Sequence, residues 1–191
     1  MPNGLIRSFI AVDLNDDHIL HNIMEAQQTL SRTGGDVKLV EPQNIHITLR
    51  FLGEIRQELV QDIIEQMKQI QFTAFQIEFK GLGAFPDLHR PRVVWVGIKE
   101  GTARLSGIFE MLEKGLRTLR VQPDTRGFSP HLTIARVRSG RNREELAQVV
   151  SEMRDKEFGS IVANSVRLKK SILAPSGPIY SDLYVLQGIP V

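Results

Sequence analysis

The chain has 191 residues, 41% of them apolar and 24% charged, with a net charge of +2. That is ordinary for a soluble globular protein, long enough to bury a sizeable core in one domain or in two small lobes. It contains no cysteine, which excludes a disulfide framework, a cysteine-based zinc site and a thiol nucleophile, and fits a reducing cytoplasm.

The opening MPNGLIRSFIAVDL carries only a short apolar run before Asp13, too short for a signal peptide or a membrane span, so no membrane association is expected. Leu5 to Leu14 reads as a strand. Asn15 and Asp16 read as a helix cap, with the helix continuing to about Ser31. His18 and His21 lie one turn apart on that helix. No third ligand is placed by the sequence to complete a metal site, so they read as surface residues. Thr33-Gly34-Gly35-Asp36 breaks the helix, Val37 to Val40 is a short strand, and Asn44 opens the next one.

That next strand holds NIHITLRFLGE, with His46, Ile47 and Thr48 in an apolar, β-branched run. Side chains alternate across a strand, so His46 and Thr48 share one face and Ile47 points to the core. GEIRQELVQDIIEQMKQI follows, with Leu59, Ile63, Ile64, Met67 and Ile70 at the spacing of one helix face. Phe75 to Phe79 alternates as a strand and runs into Lys80-Gly81-Leu82-Gly83. This matches the loose K-x-x-G signature of covalent lysine nucleotidyltransferases, but their other motifs are missing, and it reads as a strand entering a glycine turn. The polar tract DLHRPR, with His89 and Arg90, reads as a hairpin turn. Arg92 to Lys99 is a strand with Trp95 in its middle, and residues 102–119 form a helix with Leu105, Ile108, Phe109, Leu112 and Leu116 on one face.

The loop QPDTRGFSP then delivers a second copy of the motif. FSPHLTIARVR places His131 and Thr133 on one face and Leu132 on the other, with Pro130 fixing the entry of the strand. SGRNREELAQVVSEMRD follows as a helix with Leu146, Val149, Val150 and Met153 on one face. Arg136, Arg138, Arg141 and Arg143 crowd beside this motif, a pattern that favours a phosphate-bearing partner. Ile161 to Leu173 and Ile179 to Leu186 read as two strands around the turn Pro175-Ser176-Gly177-Pro178. The unit of strand, turn and helix is thus used twice. It implies an α+β chain of mostly antiparallel strands with four helices, in two pseudo-symmetric lobes facing each other across a cleft.

The paired His-x-Thr motifs, about eighty-five residues apart, resemble those of the 2H phosphoesterase superfamily. The nearest resemblance is to its LigT-like group, the RNA 2′,3′-cyclic phosphodiesterases long called 2′-5′ RNA ligases. RSFIAVDL, FLGE, the segment AFP with RVVWVGI, SPHLTIAR and YSDLYVL extend it over nearly all of residues 1–191. The resemblance implies a single bilobal 2H phosphoesterase domain with helices outside and a central cleft. It implies an RNA or oligonucleotide substrate with a 2′,3′-cyclic phosphate end, tRNA fragments among the candidates, and a monomer is expected.

Two imidazoles titrating near pH 6.5 suit acid–base catalysis, one accepting a proton while the other donates one. Hydrolysis of a phosphodiester needs that pairing on opposite sides of phosphorus, and the threonine hydroxyls can donate to the non-bridging oxygens. The scheme needs no cofactor and no metal. The resemblance further implies that His46 is the acid, His131 the base, and that the product keeps a 2′-phosphate. In reverse, the same site would join a cyclic end to a 5′-hydroxyl. Arg136 resembles a family position that binds the substrate phosphate, and Phe51 one that contacts the base or lines the cleft. Each lies five residues past its histidine, an odd interval that sends it to the opposite face unless a bulge intervenes. Arg50 has the matching parity and is an alternative phosphate contact. Rival readings are another 2H activity, on a cyclic nucleotide or an ADP-ribose cyclic phosphate, and a protein that binds RNA ends without reacting.

Overall fold

A computed structural model of the chain describes residues 4–125, 127–175 and 177–190. The first apolar run forms β1 (Leu5–Asp13), followed by α1 (Asp17–Arg32). Asp16 caps that helix. Its side chain accepts a hydrogen bond from the Ile19 amide at 2.9 Å, satisfying one of the amides a helix start leaves free. Then come β2 (Val37–Leu39), a single 3-10 turn at Pro42–Asn44, β3 (His46–Arg56) and α2 (Leu59–Lys68). The central part holds β4 (Phe75–Phe85), β5 (Val93–Glu100) and α3 (Thr102–Thr118). The chain continues with β6 (Leu132–Val137), α4 (Arg143–Glu152), β7 (Glu157–Ala163), β8 (Ser165–Ala174) and β9 (Gly177–Gln187).

The strands make one antiparallel sheet in the order β7-β4-β5-β6-β3-β1-β8-β9, with β2 attached to β6. The two motif strands, β3 and β6, sit at its middle. Each has its own set of neighbours: β5, β4 and β7 beyond β6, and β1, β8 and β9 beyond β3. These are the two lobes. The sheet is strongly curled, because β7 and β8 lie far apart in its order yet are joined through Asn164 alone. A parallel bridge between Thr73 and Ile189 ties the same side.

The helices are exchanged between the lobes. α1 leaves β1 but packs on β7, β6 and α4, and α3 leaves β5 but packs on β3 and α2. Each helix buries the stripe its sequence spacing implies: Ile19, Ile23, Ala26 and Leu30 on α1, Ile63 and Met67 on α2, Leu105, Ile108, Leu112 and Leu116 on α3, Leu146 and Val150 on α4. They meet Ile10, Ile47, Phe79, Leu132 and Phe158 of the sheet, all at or near zero exposure. Burying one such side chain contributes about 1.5–3 kcal/mol, whereas an exposed ion pair contributes about 0–1 kcal/mol. The helix–sheet layer therefore holds the fold, and pairs such as Lys68–Glu65 matter little to it.

Several local expectations are corrected. The turn expected between the first motif strand and its helix is confined to Gln57 and Glu58, because β3 runs on to Arg56. Lys80–Gly83 lies inside β4 and is not a turn. The register of β4 against β5 shifts between Phe79 and Leu82, and Gly81 sits there at φ 78°, where an added Cβ would lie 2.3 Å from the Arg154 carbonyl oxygen. The glycine thus serves a bulge under close backbone approach. Ile161–Leu173 is two strands, broken at Asn164. His131 immediately precedes β6, which begins at Leu132. Phe109 is only half-buried and stacks on Phe128. The turn read at 175–178 and the loop read at 122–130 include Ser176 and Arg126, which lie outside the described residues.

Candidate active site

The two motifs are brought together by one register contact, Ile47 opposite Leu132 in antiparallel β3 and β6. Both side chains are buried, so their sequence neighbours face the other way. In that register Thr133 stands across from His46, and His131 across from Thr48. The two histidines are diagonal neighbours, roughly 7–8 Å apart by ordinary sheet geometry. His46, Thr48, His131 and Thr133 all line a cleft of about 450 Å³ on this face, a size suited to a small ligand or one end of a polymer.

Phe51 and Arg136 line the same cleft. The parity obstacle is removed by a bulge in each motif strand. Against β1, Ala11 pairs with Thr48 but Ile10 pairs with Arg50, so Leu49 is extra. Against β5, Trp95 pairs with Thr133 but Val94 pairs with Ala135, so Ile134 is extra. Two consecutive residues are buried in each strand, Leu49 with Arg50 and Ile134 with Ala135, and alternation resumes one residue later. The same bulge overturns the expectation for Arg50. It is 5% exposed, points away from the cleft and pairs with Glu113 of α3.

Both imidazoles are oriented alike. His46 Nδ1 lies 2.8 Å from the Asn44 carbonyl, and His131 Nδ1 lies 2.7 Å from the Ser129 carbonyl. A carbonyl only accepts, so each Nδ1 carries the hydrogen and each neutral ring presents the Nε2 lone pair. His46 Nε2 accepts from the Thr48 hydroxyl at 3.1 Å. Each ring is also boxed by aromatics: Phe9 at 4.8 Å and Tyr180 at 5.5 Å for His46, Phe85 at 5.0 Å and Trp95 at 6.1 Å for His131.

Burial lowers the pKa of both histidines from the ordinary imidazole value. For His46 it is opposed by the Asn44 carbonyl and the Asp13 carboxylate, and aided by the charges of Lys169 and His131. For His131 it is opposed by the Ser129 carbonyl. Asp13 is the cross-strand partner of His46, and its carboxylate holds the Lys169 ammonium at 2.7 Å, which in turn reaches Asp182 at 2.7 Å. Tyr180 at the cleft wall has its pKa raised by burial, partly offset by Arg136, Arg7 and Lys169.

Sequence reasoning missed Arg7, Lys38 and Tyr180 as cleft residues. Arg7 and Phe9 are two apart on β1, so alternation alone puts them on one face, and Arg7 lies over the Phe51 ring at 4.7 Å. Lys38 is the cross-strand partner of Arg136. Of the arginine cluster, Arg138, Arg141 and Arg143 are not in the cleft wall, and Arg141 instead donates to the Gly34 carbonyl. His89 and Arg90 sit in a turn where their amides donate to Asp87. His21 faces Glu25 at 3.5 Å, and no group of three metal-ligating side chains occurs among the described residues. No helix among them is long and apolar enough to cross a membrane.

Comparison with known proteins agrees with this geometry. A family model described as LigT like Phosphoesterase matches twice, over residues 12–95 and 96–180, one match per His-x-Thr motif. The chain is 44% identical over 162 residues to an Aeropyrum pernix protein named RNA 2′,3′-cyclic phosphodiesterase, covering 85% of this chain and 92% of that one. It is 41% identical over 182 residues to an Archaeoglobus fulgidus protein of the same name, covering 95% and 100%. The crystal structure of the Thermus thermophilus protein TT0787 superposes with a TM-score of 0.78 at 26% identity, covering 95% of this chain and 97% of that one. Two matched halves, a shared curled sheet and a motif pair on one cleft place this chain in the LigT-like family of 2H phosphoesterases.

Proposed function

We propose that the protein hydrolyses RNA 2′,3′-cyclic phosphate ends, leaving a 2′-phosphate. The observation that carries this is the convergence of two His-x-Thr pairs on one cleft through the Ile47–Leu132 contact. A cyclic phosphodiester placed between the imidazoles meets a proton acceptor on one side and a proton donor on the other. His131 takes the proton from the attacking water and His46 gives one to the departing 3′ oxygen, in line across phosphorus. Thr48 and Thr133 donate to the non-bridging oxygens as negative charge accumulates. Arg136, with Arg7 and Lys38 nearby, draws the anionic chain into the cleft, and Phe51 offers a ring face for a base. In the reverse direction the same two proton transfers would join a cyclic end to a 5′-hydroxyl.

The substrate is an RNA end, with tRNA fragments as candidates, and the protein works as a monomer in the cytoplasm. The relatives' names and the pattern of basic cleft residues support RNA over a small cyclic nucleotide. The deciding experiment is incubation with a 2′,3′-cyclic-phosphate oligonucleotide in chelator, with mapping of the hydroxyl that keeps the phosphate. A 2′-phosphate product is expected. A 3′-phosphate, or no turnover by the wild type, refutes the reading.

A further inference from the structure

Arg50 belongs to the motif strand but faces away from the reaction. Its guanidinium makes three contacts: Nε donates to Glu113 of α3, Nη1 to the carbonyl of Phe51, and Nη2 to the carbonyl of Gln122. Gln122 stands at the start of the segment that runs from α3 to His131. The far part of that segment is held as well, by Phe128 stacked on Phe109 with centroids 4.6 Å apart and planes 6° from parallel. Phe109 and Glu113 are four residues apart, on one face of α3. One helix face therefore holds the segment at Phe128 directly and at Gln122 through Arg50, and Ser129, just past Phe128, supplies the carbonyl that orients the His131 ring.

The chemistry of the pair points the same way. A buried ion pair contributes little net stability, because desolvation offsets the attraction. An apolar pair would fill the same space, but it would not donate to two carbonyls from separate parts of the chain. The planar fork of arginine does so, and a lysine ammonium on its flexible stem does not reproduce it. We propose that Arg50 is a positioning residue that ties the segment carrying His131 to the strand carrying His46, and so sets the separation of the two imidazoles. The idea rests on the catalytic reading of both histidines. A misplacement of about 1 Å at a reacting group lowers rate by about a hundredfold, so the tie has leverage on turnover.

The test is Arg50→Met/Glu113→Met, which removes both buried charges together, and Arg50→Lys, which keeps both charges but loses the planar fork. Wild-type turnover and its loss in His131→Ala are measured first, so that failure of the catalytic reading is seen separately. Expected for the double variant are a thermal midpoint near that of the wild type and a kcat lower by about tenfold to a hundredfold. The Kd for a 2′-phosphate-ended product should stay unchanged, and the His131 ring resonances should move while those of His46 hold. Arg50→Lys should fall between. A folded variant with wild-type kcat and an unmoved His131 signal overturns the proposal. If both variants fail to fold, Phe128→Leu loosens the same segment without touching the buried charges. It should lower kcat with Kd unchanged, and wild-type kcat there overturns the proposal equally.

Discussion

Ile47 and Leu132 are the Cα partners that join β3 to β6, and neither lines the cleft. Their side chains are buried beneath the cleft floor, while the residues on either side of each supply the histidines and threonines. The cleft floor is therefore built at the middle of the sheet, with one histidine at the start of β3 and the other just before β6.

Replacing His46 or His131 by alanine should each lower kcat for a cyclic-phosphate oligonucleotide by about 10²–10⁴-fold, the usual range for a general acid or base. Thr48→Ala and Thr133→Ala remove one donor to the phosphate oxygens and should cost up to about 10²–10³-fold. Circular dichroism should remain that of the wild type. Single-histidine variants that turn over at the wild-type rate would end the acid–base assignment.

The pH dependence of kcat/KM should be bell-shaped, with its maximum on the acid side of 6.5. Both free-enzyme imidazoles have pKa values below that ordinary value, chiefly through burial. Removing the acid should abolish the alkaline limb, and removing the base the acidic limb. A plateau extending well above pH 7 would contradict the burial argument.

Arg136→Met should weaken binding of a single-stranded product and reduce the slope of log K against log salt by about 0.7, one phosphate contact's worth. Phe51→Ala should instead raise KM with little change in that slope, by an amount corresponding to about 1–3 kcal/mol of base stacking. Titrations at several salt concentrations separate the two. An unchanged slope in Arg136→Met would remove it from the anionic path.

Stability should fall as the solution is made acidic. His46, His131 and Asp182 all have pKa values lowered in the folded protein, so each contributes stability that is present above its unfolded pKa and lost as pH falls through the folded one. For the histidines this window opens below pH 6.5, and for Asp182 below 3.8. At Asp182 burial acts in the opposite sense and is outweighed by the hydrogen bonds from Lys169 and Arg167. Urea midpoints measured between pH 7.5 and 5 should decline, and less steeply in a His46→Ala/His131→Ala variant. Ile47→Ala, at 1% exposure, should cost about 2–5 kcal/mol at neutral pH, read from the same curves.

Much of this was legible in the chain. Period-2 alternation placed His46 with Thr48 and His131 with Thr133, the cap at Asn15 and Asp16 marked the first helix, and period-3.6 spacing found the other three. The failures have local causes. Glycine in Lys80–Gly83 signals both a turn and a bulge, and only the neighbouring Arg154 carbonyl, remote in sequence, selects the bulge. Parity assigned Arg50 to the cleft because an extra residue such as Leu49 leaves no mark in composition. The division of Ile161–Leu173 at Asn164 depends on which strands lie alongside, β4 for one part and β1 for the other.

The exchange of α1 and α3 means that neither half owns its roof. A polypeptide ending after β5 would keep β1 and β3 but leave α2 without α3, its partner from the C-terminal side. The remainder would lack α1, which shields β7 and packs beside α4. Severed near Gly101, the two pieces should be sticky and poorly folded alone, yet should rebuild a working cleft when mixed. Each would repay the other's missing cover, so the chain is woven as two strands of one braid and does not come apart as beads.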